Sequence, residues 1–231
     1  PMRHGLTMGE CALWFKDHLK LDIDLKVIEM KDYKPDEGPY FGWPKELSWV
    51  NPSPNVATPH MPKCYPGTVM LEGTNLSEAR GTTRPMEMVG ASDIEISKVL
   101  ARMRSLAPQW MEGAILRSCY FEPTFHKHQK QLCQGFQIHV DHPKYDHRRF
   151  KPYRLIALFF KAVRLEYPKY EIWRNFPYEY EFERLAIDLI NGGPELREWV
   201  DDQKSSVEAF EAMLLKDEKA WIDSTKKFLL Y

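Results

Sequence analysis

Fifteen residues, LEGTNLSEARGTTRP from Leu71 to Pro85, hold two carboxylates, two guanidiniums, an amide and four hydroxyls with almost no hydrophobic periodicity. Such a mixture can move a proton at a reacting oxygen and can grip an anion. Glu72 ends GTVMLEG, which reads as a short strand with Val69 and Leu71 on one face. A carboxylate there is held by the strand while it faces a cleft, although an exposed Glu on an edge strand has the same pattern. Arg80 and Arg84 flank GTT, and Pro85 biases Arg84 toward extended backbone. Each guanidinium could hold a ligand carboxylate bidentately, or be tied to Glu72 or Glu78 in a salt bridge that stiffens the loop. Ser53, Asn55, Asn75, Thr82 and Thr83 add groups that bind sugar hydroxyls and that also form ordinary turns.

A second concentration lies at the start of the chain, where His4, Gly5 and Glu10 crowd a helix N-terminus whose backbone donors attract anions. Thr7 and Glu10 also have the spacing of a capping box, which by itself accounts for Glu10. His126, His128, Cys133, His139 and His142 match no zinc spacing, and neither H-E-x-x-H nor G-x-S-x-G occurs, so no metal, cofactor or serine nucleophile is expected. The basic run from His147 to Arg154 reads as a solvated helix entrance.

The elements that position these groups follow from periodicity. Thr7 opens a helix whose Cys11, Phe15 and Leu19 form one stripe, with Leu6 placed to staple against Cys11. Asp24 to Met30 reads as a strand. Eight prolines between Pro35 and Pro66 mark an ordered loop layer anchored by Tyr40, Phe41, Trp43 and Trp49. Ser92 is placed to cap a helix carrying Ile96, Val99, Leu100 and Met103 on one side. AILRSCYFEP and CQGFQIHVD read as antiparallel strands joined by TFHKHQKQL. The remainder is helical: YRLIALFFKAVRLEY, EYEFERLAIDLI stopped by NGG, and the long segment from Ser206 to Leu230. Without a βαβ rhythm or a phosphate-binding glycine fingerprint, the fold class is α+β. It combines a mixed or antiparallel sheet, packed helices, long Pro-rich ordered loops and a helical C-terminal third.

Composition sets the outer bounds. The 231 residues carry 32 Lys plus Arg against 33 Asp plus Glu, a formal net charge of −1, so no overall field draws nucleic acid or an anionic membrane. No run has the length of a membrane span. Cys11, Cys64, Cys119 and Cys133 are scattered without a C-x-x-C pair, as buried reduced thiols would be. The chain opens directly on a motif, as the later part of a longer protein would.

HGLTMGE, WVNPSPN, YPGTVMLEGTNLSEARGTTRP, FEPTFHKHQ, CQGFQIHV and the terminal FLLY occur in this order. Together they resemble the bacterial exo-β-N-acetylmuramidases, a family formerly catalogued as a domain of unknown function. The resemblance implies a peptidoglycan-fragment glycosidase that releases N-acetylmuramic acid from non-reducing ends. It assigns residues 1–231 to the C-terminal, cleft-forming portion, lacking the N-terminal Rossmann-like domain that would be its partner and would supply an essential acid. Carried over, the motifs put His4, Glu10 and Glu72 near the reacting centre and Asn55, Asn75, Arg80, Thr83 and Arg84 along the sugar site. Glycoside hydrolysis uses two carboxyl groups, about 5 Å apart when configuration is retained and more than about 6.5 Å when it is inverted. The lactyl carboxylate of muramic acid asks for a fixed cation, for which Arg80 or Arg84 would serve. The family's role in wall turnover implies export to the periplasm or the exterior. The alternative is a non-catalytic glycan-binding or auxiliary module of a cell-envelope protein, with Tyr40, Trp43 and Trp49 stacking on sugar faces.

Overall fold

A computed structural model describes residues 2–35, 41, 43–44 and 46–231; Tyr40 lies outside the described residues. The chain divides into two units, Pro1–Leu47 with Glu208–Tyr231, and Ser48–Val207.

In the first unit, helix α1 (Met8–His18) begins with the capping box that the sequence predicts. The Glu10 carboxylate accepts the Thr7 N–H, and the Thr7 hydroxyl accepts the Glu10 N–H. Two of the four orphan donors of the first turn are thereby satisfied. A Cβ at Gly9 would lie 2.5 Å from Val27 Cγ1, so a larger residue there would displace the Val27 side chain. Asp24 to Met30 forms no strand, and most of its side chains are exposed. Its alternation slips a register at Ile28, so no single apolar face exists to bury. Nor is the α1 stripe buried, because Phe15 and Leu19 are exposed. The last helix, numbered α7 in chain order (Val207–Thr225), is followed by a 3-10 turn at Lys226–Phe228. The tail then returns to α1 and Leu230 N–H donates to Glu10 Oε1 at 2.7 Å.

The second unit is organised on helix α4 (Pro152–Glu166), whose residues Leu155 to Val163 are all buried. An apolar face that runs all round a helix marks a core helix. Beside it lie α2 (Met61–Thr68), α3 (Ile96–Leu106) and α6 (Glu195–Asp201). Strands β1 (Met88–Ala91), β2 (Ile115–Phe121) and β3 (Cys133–His139) form an antiparallel sheet in the order β1-β3-β2. Phe136 of β3 meets Phe159 of α4 edge to face at 5.4 Å. The α+β class and the β2–β3 pairing agree with the sequence reading.

Three local expectations are corrected. GTVMLEG is no strand: α2 ends at Thr68 and a 3-10 turn covers Val69–Gly73. Thr68, Met70 and Leu71 are all fully buried, so a two-sided alternation never existed. Ser92 does not cap α3, whose N-cap is Glu95. Its hydroxyl instead lies 2.8 Å from His128 Nδ1 and donates to Gln131 Oε1. Of EYEFERLAIDLI, only the end is helical, in α5 (Ala186–Asn191), which stops at Gly192 with φ +85°. All four cysteines are unbridged; Cys64 and Cys133 are buried, Cys11 and Cys119 half-buried. Among the described residues no helix is long and apolar enough to cross a membrane.

Candidate functional site

Glu72 owes its position to the backbone on either side of it. Gly73 runs so close to α5 that a Cβ would sit 2.6 Å from the Ile187 nitrogen. The Gly73 carbonyl accepts Arg174 N–H, Thr74 bridges Trp173, and Asn75 N–H donates to the Ile172 carbonyl at 2.8 Å. Chain 71–75 is therefore clamped between α5 and residues 172–174. Of the Glu72 carboxylate, Oε1 accepts Arg80 Nη2 at 2.6 Å and Oε2 accepts the Tyr178 hydroxyl at 3.1 Å. Burial and the adjacent Glu72 charge push the Tyr178 phenol up to about 12. The same two causes raise Tyr65.

Behind Glu72 stands a carboxylate of a different kind. Glu78 is only 1% exposed. Arg80 Nε donates to its Oε1 at 2.5 Å, Lys127 Nζ lies 2.7 Å from its Oε2, and His126 Nδ1 lies 3.7 Å from Oε1. Burial alone would raise its pKa; His126, Lys127 and Arg80 outweigh burial and hold it well below the usual carboxylate range. Lys127 is lowered by burial against the opposing pull of Glu78, and its ammonium also donates to the Leu71 carbonyl. Arg80 is thus held between two acids, one buried and one facing outward.

The loop is rigid because its small polar groups bind its own backbone. Thr74 and Thr82 hydroxyls donate to the Leu71 and Ala79 carbonyls, and the Ser77 hydroxyl accepts Ala79 N–H. Ala79 at φ +59° and Met86 at φ +64° occupy left-handed backbone, an unusual conformation for residues with a Cβ. The polar composition of Leu71 to Pro85 is therefore largely self-directed, with Glu72 and Arg80 facing a cavity.

That cavity, about 240 Å³, is lined by Ser53, Asn55, Tyr65, Glu72, Arg80 and Met86 among others. Its NPSPN wall is shaped by Trp49, whose indole donates to the Val56 carbonyl at 3.0 Å, and by Val56 N–H bonding to Ser53 O. Trp49 therefore anchors the wall through its ring nitrogen, and Trp43 is partly exposed in the first unit.

The remaining sequence candidates are engaged as follows. Thr83 and Arg84 line a second, open hollow of about 630 Å³ with Met88, Arg117 and Gln137. Arg84 Nη1 donates to Glu87 at 2.8 Å and Nη2 to Asp141 at 3.0 Å. The Asn75 amide donates to the Glu171 carbonyl, and its own carbonyl lies 2.9 Å from His128 Nε2. In the first unit, Glu10 is 3% exposed with both oxygens engaged. Burial raises its pKa, but the N–H groups of Leu230 and Thr7 outweigh this and lower it. His4 Nδ1 accepts Leu6 N–H, and its carbonyl accepts the Trp221 indole. Among the described residues no three His, Cys, Asp or Glu side chains gather as metal ligands.

Sequence reasoning missed Tyr65, Tyr178, Lys127 and Arg117. Tyr178 reaches Glu72 across 106 positions. Its aromatic-rich surroundings carry no periodic signal. Lys127 had a visible cue, since a lysine inside FEPTFHKHQ is an available partner for the two loop acids.

The fold recurs in two crystal structures of DUF1343 family proteins from Bacteroides fragilis NCTC 9343. One matches with TM-score 0.73 at 24% identity, over 98% of this chain and 56% of the other; the second gives 0.67 at 21%, over 99% and 56%. Peptidoglycan beta-N-acetylmuramidase NamZ of Bacillus subtilis strain 168 is 32% identical over 238 residues, covering all of this chain and 51% of its own. The chain thus spans about half the length of the relatives it matches. Residues 1–60 match the family model for the N-terminal part of exo-beta-N-acetylmuramidase NamZ, and 63–231 the model for its C-terminal part. The stretch assigned from its motifs to a C-terminal portion therefore also carries a piece matching the N-terminal model. On these matches the chain belongs to the exo-beta-N-acetylmuramidase NamZ family.

Proposed function

We propose that this chain forms part of a glycoside hydrolase that releases N-acetylmuramic acid from the non-reducing ends of peptidoglycan fragments, with Glu72 as one of its two working carboxylates. The observation that carries the reading is the cavity itself. A half-buried acid stands at its wall, oriented by Arg80 and Tyr178, with the Asn55 amide and the Tyr65 ring in the same lining. Both Glu72 oxygens are already held as acceptors, by Arg80 and by Tyr178, an arrangement that suits a base or nucleophile better than a proton donor. Glu72 is the single carboxylate among those lining residues, and glycoside hydrolysis needs a second. The half of the relatives' length that this chain does not span, including the rest of a Rossmann-like domain, would supply it. Exposed Met8, Phe15, Leu19 and Ile28 on the first unit give such a domain apolar surface to cover. A substrate of this kind sets the place of work in the periplasm or outside the cell.

The test is hydrolysis of a chromogenic muramic-acid glycoside by the chain alone and by the chain joined to the N-terminal portion of the Bacillus subtilis relative. The joined protein is expected to be active, with Glu72→Gln lowering kcat by about 10²- to 10⁴-fold, as loss of a proton-transfer group does. Full activity in Glu72→Gln would refute the assignment. Saccharide binding without hydrolysis in either format would favour the auxiliary reading.

A further inference from the structure

Both arginines of the 71–85 loop are compensated, whereas Arg117, outside it, has no acid partner among the described residues. Arg80 faces Glu72 and Glu78, and Arg84 faces Glu87 and Asp141. Arg117 on β2 has neutral partners only. Its Nε donates to His139 Nε2 at 3.2 Å and its Nη2 to Gln137 Oε1 at 2.7 Å. Because His139 Nε2 accepts, the ring proton belongs on Nδ1, facing Asp141 Oδ1 at 3.6 Å. Two neutral groups thus fix the guanidinium plane without cancelling its charge, and among the described residues Nη1 has no protein partner.

Three further donors line the same hollow. Gln137 is 6% exposed and, with Oε1 accepting from Arg117, its Nε2 has no acceptor among the described residues. The Thr83 hydroxyl is likewise without a protein acceptor there, and Arg84 has Nε to spare after its two ion pairs. The floor is apolar, from Met88, Cys119 and Phe121, which pack with Ala79 and Cys133. The acid in the lining is Glu122, just past the end of β2 and five residues from Arg117, so about 16 Å away along an extended chain. A nearly buried amide donor and an oriented, uncompensated guanidinium over an apolar floor form a receptor for a carboxylate carried on a small apolar stem.

We propose that the hollow formed by β2, β3 and the Thr82–Arg84 turn binds a ligand carboxylate, with Arg117 as its charged partner and Gln137 as a neutral donor. The assignment does not depend on the glycosidase reading. Two sources present this chemistry: the lactyl ether of a muramic acid and the C-terminal carboxylate of a short peptide.

Titrations of the 231-residue chain followed by the Gln137 side-chain amide signals in NMR distinguish them, using methyl N-acetylmuramic acid glycoside, N-acetylalanine and the neutral primary amide of each. At least one acid is expected to bind and to shift the Gln137 signals, with its amide much weaker; the tighter acid identifies the source. Arg117→Gln should weaken the acid about 10- to 100-fold, the range of a charge-assisted hydrogen bond, while leaving the amide unchanged. Arg117→Lys should recover part of the loss. Arg117 is exposed, so these variants keep the fold. Failure of both acids to bind at millimolar concentration, equal affinity for acid and amide, or equal losses on both in Arg117→Gln would each overturn the proposal.

Discussion

Glu78→Gln is the sharpest probe of how the loop is held. The change is nearly isosteric, but it removes the buried negative charge that Arg80, Lys127 and His126 share, where the Lys127 side chain is only 7% exposed and Arg80 keeps only Glu72. Breaking a buried ion pair from one side strands the other charge and costs about 3–5 kcal/mol. For a chain of this length that is a fall of roughly 6–20 °C in Tm. The pH dependence has a definite sign. The folded pKa of Glu78 is depressed, so its contribution to stability is complete above its unfolded value near 4.5 and drains away as the pH falls through the folded value. Urea titrations of both proteins should therefore differ by a constant amount from about pH 5 to 8, and the gap should narrow only below about pH 4.5. Adding Lys127→Met to Glu78→Gln should restore much of the loss, because an apolar side chain leaves no stranded ammonium. A cost below about 1 kcal/mol, or a gap that does not change in acid, would show that the cluster is solvated and that Arg80 is not braced from behind.

Three other perturbations separate packing from conformation and fold from chemistry. Gly73→Ala forces a methyl to within 2.6 Å of the Ile187 nitrogen and should cost about 1–3 kcal/mol in urea, together with activity at the Glu72 cavity. Gly192→Ala, at φ +85° with no atom within 4 Å, should cost about 1–2 kcal/mol and leave the cavity untouched. Glu10→Gln puts an amide donor where an acceptor is needed, opposite Thr7 N–H or Leu230 N–H. Loss of the capping interaction should lower stability by about 0.5–2 kcal/mol, seen as an earlier urea midpoint. Since the Glu10 pKa is lowered on folding, the deficit should be present at neutral pH and shrink as the pH falls below about 4.5.

What could be read in the sequence was what local geometry determines. The Thr7–Glu10 capping box, the α4 helix, the Gly192 stop and the antiparallel β2–β3 pairing each depend on residues close in the chain, and each stands as expected. GTVMLEG failed because alternation over so few residues cannot separate a strand from a tight turn buried on both sides. The site was half legible for a related reason. Residue types in the 71–85 loop announced acids and cations, yet whether an arginine is available to a ligand depends on what faces it after folding. Glu78 was a visible candidate for Arg80, whereas Asp141 reaches Arg84 from 57 positions away and Lys127 reaches Glu78 from 49. Arg117 sits in a strand with no motif to mark it, and two neutral side chains from β3 leave its charge unanswered. Motif spacing thus located the scaffold, whereas the neutral surroundings of Arg117 emerge only from the register that sets it directly across from Gln137. A one-residue slip of that register would turn Arg117 to the opposite face of the sheet, away from the hollow it lines with Gln137.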